Sequence, residues 1–190
     1  MTDYFVEHDE VLENKLGIED PELLKNAEAE IVFLRLVELG YKPIQGAFDF
    51  EHLKSIHRHL FSDIYPMAGK VRSVNIAKAG SAFCYARFID STQREIFDGL
   101  KENKYFKGLD KSIFAAKLAE FSADLNALHP FRDGNGRAIR AFLIQLSENA
   151  GYRLTFENEV REELLAADIA AFKGNLEPLT QLFCKLIEPI

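Results

Sequence analysis

A mainly helical, all-α domain carrying one small β-hairpin is the fold class that this sequence predicts. Three observations carry it. Apolar residues recur at steps of three and four along most of the chain, most clearly from Lys111 to Leu128. Alternation with a period of two is confined to one segment, Lys70 to Phe88. A length of 190 residues with 47% apolar and 28% charged residues is that of one soluble domain with a sizeable core.

The elements follow in order. Asp20 can cap a helix with Pro21 at its first position, and Leu24, Ala27, Ile31 and Leu34 then form one stripe up to Gly40. A shorter helix is expected from about Asp49, with Phe50, Leu53, Ile56 and Leu60 on one side. In the next segment Val74, Ile76, Phe83, Tyr85 and Phe88 sit at even or near-even spacing around Ala79-Gly80-Ser81. That spacing predicts a hairpin turning at Gly80. Two strands are marginal alone, so such a hairpin in a helical domain reads as a flap over a site. Helices resume near Asp90. From Lys111, Phe114, Leu118, Phe121, Leu125 and Leu128 form the strongest stripe, which stops at His129-Pro130. Ile139, Leu143, Leu146 and Ala150 form the next, closed by Gly151. Two further helical patterns contain Val160, Leu164 and Ile169, then Leu179, Leu182, Phe183 and Leu186. One domain over residues 1–190 is expected: an N-terminal helical region to about 48, a core over about 49–151 and C-terminal helices over about 152–190. Sixteen Phe against no Trp is read as core composition.

Composition also excludes. A net charge of -7 with no strong basic run does not suit direct nucleic-acid binding. No stretch of about 18 apolar residues suggests a membrane span, and Met1 to Glu13 does not resemble a secretory signal. Cys84 and Cys184 lie far apart outside any CxxC, so a reduced, cytoplasmic setting is expected.

The chemistry gathers between the two strongest stripes, in His129-Pro130-Phe131-Arg132-Asp133-Gly134-Asn135-Gly136-Arg137-Ala138-Ile139-Arg140. Gly134-Asn135-Gly136 opens a helix, where free N–H groups and the helix dipole attract anions and glycine lets them approach. Arg137 and Arg140, three apart, share a face and can both grip phosphate oxygens. Two arginines plus a helix N-terminus suit a polyphosphate. Asp133 beside phosphates calls for a cation, and Mg²⁺ held by a carboxylate plus substrate phosphates is the usual solution. His129, ending the preceding helix, can accept a proton near neutral pH. Phe131 is read as an apolar anchor. Base, metal ligand, cradle and arginines together describe phosphoryl or nucleotidyl transfer.

This segment is similar to the Fic family motif, HxFx(D/E)GNGRxxR, at every specified position. The likeness extends to Asp49–Phe61, to Tyr65-Pro66-Met67-Ala68-Gly69-Lys70-Val71-Arg72, to the hairpin, and to Leu12-Glu13-Asn14-Lys15-Leu16-Gly17-Ile18. It is nearest to Fic toxins that pair with a small antitoxin.

The resemblance implies a protein adenylyltransferase using ATP and Mg²⁺. His129 would deprotonate a target Tyr, Ser or Thr hydroxyl, and Asp133 would hold the metal. Gly134, Asn135 and Gly136 would hold phosphate oxygens, with Arg137 and Arg140 at the β/γ end. The flap, with Gly80, Ser81 and Phe83, would pair with an extended target segment and clamp it. Gly134 and Gly136 distinguish this motif from the phosphocholine-transferring and kinase branches of the fold. Relatives of this type suggest the ATPase subunit of a type II topoisomerase as target, with cell filamentation as the outcome. A silent Fic-fold binding module, or the same fold with another nucleotide donor, are the alternatives.

Many Fic proteins silence themselves through (S/T)xxxE(G/N), whose Glu pairs with the arginine at the position of Arg140. Here Glu13, Glu102, Glu148 and Glu157 precede Gly or Asn, but Asp9, Asp98, Ile144 and Arg153 lie four residues before them. The motif is absent, so the inhibitory Glu is expected in trans, from an antitoxin protein. His52, His57 and His59 are read as structural, Cys84 and Cys184 as half-buried thiols, and the acidic cluster Glu157, Glu159, Glu162 and Glu163 as a solvated face.

Overall fold

Asp20 begins the first helix as its sequence leads one to expect: its carboxylate accepts the Leu23 N–H (2.8 Å), with Pro21 in the first turn. The structure, a computed structural model, describes residues 5–6, 11–78, 81–156 and 160–190. The turn predicted at Gly80, and Glu157 and Glu159, lie outside the described residues.

Helix α1 (Pro21–Tyr41) leads to α2 (Phe50–Phe61), capped by Asp49, which accepts the His52 N–H (2.9 Å). α3 (Ile89–Glu102), α4 (Lys111–Leu128), α5 (Asn135–Ala150), α6 (Arg161–Phe172) and α7 (Glu177–Leu186) complete the described α-helices, with short 3-10 turns at Ala86–Phe88 and Lys104–Phe106. None of them is long and apolar enough to cross a membrane.

α4 is the central helix, packing against α3, α5, α6 and α7. Phe114, Leu118, Phe121, Leu125 and Leu128, the stripe that announced it, are all buried. The phenylalanines do build the core: Phe97 and Phe121 meet edge to face, as do Phe97 and Phe142. α1 departs from its predicted stripe. Leu24, Val32 and Leu39 are buried, whereas Leu34 is 61% exposed beside Phe33 and Tyr41. The helix is apolar on two sides and packs by one of them against α2, which leaves the other bare.

The hairpin pairs β2 (Asn75–Lys78) antiparallel to β3 (Ser81–Ala82), with Ala77 opposite Ala82. A short β1 (Phe5–Val6) adds parallel to β2. β4 (Tyr152–Leu154) and β5 (Ile187–Pro189) form a second, two-stranded sheet that staples the chain's end to the exit of α5. Three residues per strand are too few to show an alternation, so neither β4 nor β5 was legible as a strand.

Candidate active site

The loop between α4 and α5 turns twice through left-handed backbone. His129 caps α4 at φ 45 and ψ 61, its N–H donating to Leu125 O (3.0 Å). Gly134 precedes α5 at φ 75, and a Cβ there would lie 2.4 Å from the Phe61 ring. Glycine is required at 134 both by conformation and by space.

His129 is oriented by the last turn of its own helix. Its Nδ1 lies 3.2 Å from Asn126 O. A carbonyl only accepts, so Nδ1 carries the proton and the basic lone pair is on Nε2. The imidazole is stacked on Phe83 of the hairpin (3.8 Å between centroids, 15° between planes). Phe83 also meets Phe172 of α6 edge-on. Of the predicted flap residues, Phe83 therefore reaches the histidine; Ser81 is in β3.

Asn135, predicted in the cradle, is buried, and its side chain staples the loop. Its Oδ1 accepts the Phe131 N–H and its Nδ2 donates to Phe131 O, both at 2.8 Å. No side chain caps the first turn of α5, and that turn holds no acidic residue. The N–H groups around Asn135, Gly136 and Arg137 thus form an electropositive helix end. Phe131 is fully buried, as an anchor should be.

Asp133 accepts the Gly134 N–H and sits 3.8 Å from Arg137 Nη2, with its side chain 34% exposed. Arg137 pairs with Glu28 of α1 and lies over the Phe61 ring (4.7 Å). Arg140 is largely buried, and burial lowers its pKa below the usual guanidinium value against the opposing charge of Asp168. Burial raises Asp168 to about 6, with Arg140 and an Asn126 hydrogen bond (2.9 Å) partly offsetting it. Gly136, Arg140, Asn126 and Asp168 line one small cleft.

Three residues that sequence reasoning did not assign to the site hold it together. His57 is buried in α2. Its Nδ1 accepts the Gly69 N–H (2.9 Å), so the proton is on Nε2, which donates to Asp133 O (2.8 Å). The ring stacks on Phe131 (3.9 Å), and burial drives its pKa down to about 4. Arg72, also buried, donates to Leu128, His129, Val74 and Cys84 carbonyls and so clasps the hairpin to the loop. Its pKa is lowered by burial. Glu28 is the third. The triple of His52, His57 and His59 is structural: Nε2 of each ring meets a backbone carbonyl, of Ile44, Asp133 and Arg35 respectively. Cys84 and Cys184 are free thiols of intermediate exposure.

Residues 47–147 match the model of the Fic/DOC family. Over 172 residues the chain is 39% identical to protein adenylyltransferase VbhT of Bartonella schoenbuchensis, covering 90% of this chain and 36% of that protein. It is 33% identical over 178 residues to the probable protein adenylyltransferase Fic of Escherichia coli, covering 94% and 88%. Among solved structures, the N-terminal Fic domain of a VirB-translocated effector from Bartonella quintana with bound ADP superposes with a TM-score of 0.87 at 29% identity, over 98% of this chain and 94% of that one. BepC of Bartonella tribocorum with bound AMPPNP gives 0.87 at 28%, over 98% and 97%. The chain thus spans about a third of VbhT and most of the E. coli protein.

Proposed function

The chain belongs to the Fic/DOC family, and from that premise we propose that it is a protein adenylyltransferase that moves AMP from ATP to a hydroxyl of another protein. The observation that carries the reading is the pairing of His129 with the uncapped glycine turn of α5 across one short loop. Relatives named for this activity, and Fic domains with ADP or AMPPNP bound, support it.

Nε2 of His129 accepts the proton of a target Tyr, Ser or Thr hydroxyl. The oxygen bonds to the α-phosphorus, the α–β bridging P–O bond breaks, and pyrophosphate leaves with that electron pair. The N–H groups of Asn135 and Gly136 at the N-terminus of α5 hold phosphate oxygens, with Gly134, whose own N–H is held by Asp133, leaving them room to approach; Arg137 and Arg140 neutralise the β/γ end. Asp133 suits Mg²⁺: among the described residues no three ligating side chains cluster, and one partly exposed carboxylate beside a polyphosphate site is the donor set that ion takes. Bound there, Mg²⁺ would offset phosphate charge. The edge of the hairpin pairs with an extended target segment by strand addition, with Phe83 placing the hydroxyl at His129.

The target, on this reading, is the ATPase subunit of a type II topoisomerase, and a small antitoxin supplies a glutamate to Arg140. The bare side of α1 favours that partner: Phe33, Leu34 and Tyr41 are 64%, 61% and 89% exposed. Free thiols at both cysteines suit the cytoplasm. Parallel reactions with α-³²P-ATP and γ-³²P-ATP in bacterial lysate test the chemistry. The α label alone should reach protein, and His129→Ala should slow its transfer about 10²–10⁴-fold while ATP binding persists. Labelling from the γ position, or an undiminished rate in the variant, refutes it. Expressed alone, the chain should be toxic to a bacterial host; co-expressing a small antitoxin encoded beside it should relieve that toxicity, and replacing the antitoxin's glutamate with Gly should restore it.

A further inference from the structure

Helix α1 lies outside the segment that matches the family model, which begins at residue 47. It nonetheless reaches the phosphate loop. Glu28 of α1, with its side chain 13% exposed, uses both oxygens: Oε1 pairs with Arg137 Nη1, and Oε2 accepts the Tyr65 hydroxyl. Tyr65 is itself buried, and burial with the Glu28 charge keeps its phenol protonated and donating. One face of the Arg137 guanidinium lies over Phe61, and Nη2 lies 3.8 Å from Asp133.

We propose that Glu28 is a positioning residue for nucleotide binding: held by Tyr65, it fixes the Arg137 guanidinium edge-on to the phosphate cradle. The role rests on the proposed function, in which Arg137 binds the polyphosphate. A guanidinium is a rigid planar fork, and its value against phosphate depends on which edge it presents. Glu28 sets one edge and Phe61 sets the plane. Arg137 is in the first turn of α5, where side chains lean toward the helix N-terminus. With Nη1 held by Glu28, Nη2 lies 3.8 Å from Asp133, at the loop end of α5. A carboxylate this near also opposes phosphate by its charge. The charge is partly cancelled by Arg137 itself, whereas an unanchored Arg137 would lose side-chain freedom on every binding event. Positioning is the larger effect.

Glutamine separates the two effects. Glu28→Gln removes the charge but keeps an oxygen for Arg137, and its amide can donate to the Tyr65 oxygen. ATP affinity, measured by calorimetry, should stay within about threefold of wild type in Glu28→Gln and weaken about tenfold in Glu28→Ala. Tyr65→Phe should weaken it by a few-fold. In an Arg137→Ala background, Glu28→Ala should add nothing, a non-additivity that a purely structural role does not produce. Additive losses in that background overturn the proposal, as does tighter ATP binding by Glu28→Gln, which would make Glu28 a competitor of phosphate. Wild-type protein that binds no ATP refutes the proposed function and this role together. Wild-type binding with additive losses refutes this role alone. If Glu28→Ala unfolds, the Gln and Tyr65→Phe variants still decide.

Discussion

His57 and Asp168 should oppose one another in the acid stability of the fold. Burial lowers His57 from 6.5 to about 4, with Arg137 acting the same way and the Asp133 carbonyl and carboxylate opposing. Its contribution is full above 6.5 and is lost as pH falls through about 4, because the unfolded chain takes up the proton first. Asp168 is raised from 3.8 to about 6, so its contribution is full below 3.8 and is lost as pH rises through about 6. At about 1.4 kcal/mol per pKa unit, each amounts to about 3 kcal/mol, with opposite sign over nearly the same window. Asp168→Asn keeps an oxygen for the Asn126 amide and removes the titration. Urea unfolding should then show the variant more stable than wild type at pH 7.5, by up to about 3 kcal/mol, with the advantage fading to near zero by pH 4. His57→Gln should do the reverse: its deficit should be largest at pH 7.5 and shrink as pH falls. A difference between Asp168→Asn and wild type that is constant with pH, or that grows toward acid, refutes the assignment.

Gly134→Ala should cost more than about 2 kcal/mol, because a methyl group would strike the Phe61 ring at a positive φ, and calorimetry should find ATP binding lost. Arg72→Met should destabilise by about 3 kcal/mol or more, since several carbonyls lose one buried donor; hydrogen exchange should show the hairpin opening first. Phe83→Ala should slow transfer to protein more than it weakens ATP binding, as the ring orients His129 and not the nucleotide; equal losses in both assays would contradict that. Asp133→Asn should leave the melting temperature within a few degrees of wild type while abolishing Mg²⁺-dependent labelling.

What the sequence could disclose follows contact range. The loop residues 129–140 lie within twelve consecutive positions, so their types and spacing state their chemistry directly. The caps Asp20 and Asp49, and the stripes of α4 and α5, are local in the same sense. Glu28, His57 and Arg72 come from distant elements and read as ordinary polar residues. A faint signal existed for His57, a polar side chain one residue from the buried Ile56, on the face that α2 turns inward. Leu34 misled because α1 has two apolar sides and periodicity cannot say which one finds a neighbour. Asn135 was legible only in part. Its place in the motif put it in the cradle, but not the pairing of its buried side-chain amide with Phe131.

The side chains recruited from far away share one effect on the loop. A backbone turn offers an anion both N–H groups and carbonyl oxygens, and the oxygens repel it. Here Leu128 O and His129 O accept from the Arg72 side chain, and Pro130 O accepts from the Arg72 N–H (2.9 Å). Phe131 O accepts from Asn135, and Asp133 O from His57. Five carbonyls of the stretch from Leu128 to Asp133 are thus occupied by donors from the protein, while the α5 N-terminus has no side-chain cap. Of the loop's own N–H groups, those of His129, Phe131 and Gly134 are also taken, so the positive half of the peptide dipoles is left at the N-terminal turn of α5. A neutral His57 matters to this arrangement. Its Nε2 proton is committed to Asp133 O and its Nδ1 to the Gly69 N–H, so it adds no charge that would attract phosphate to the wrong side of the loop. On the proposed function, the polarity of the cradle is therefore set by Asn135 from within the loop and by His57 and Arg72 from distant elements. Replacing His57 or Arg72 should weaken ATP binding while leaving Arg137, Arg140 and the glycines in place.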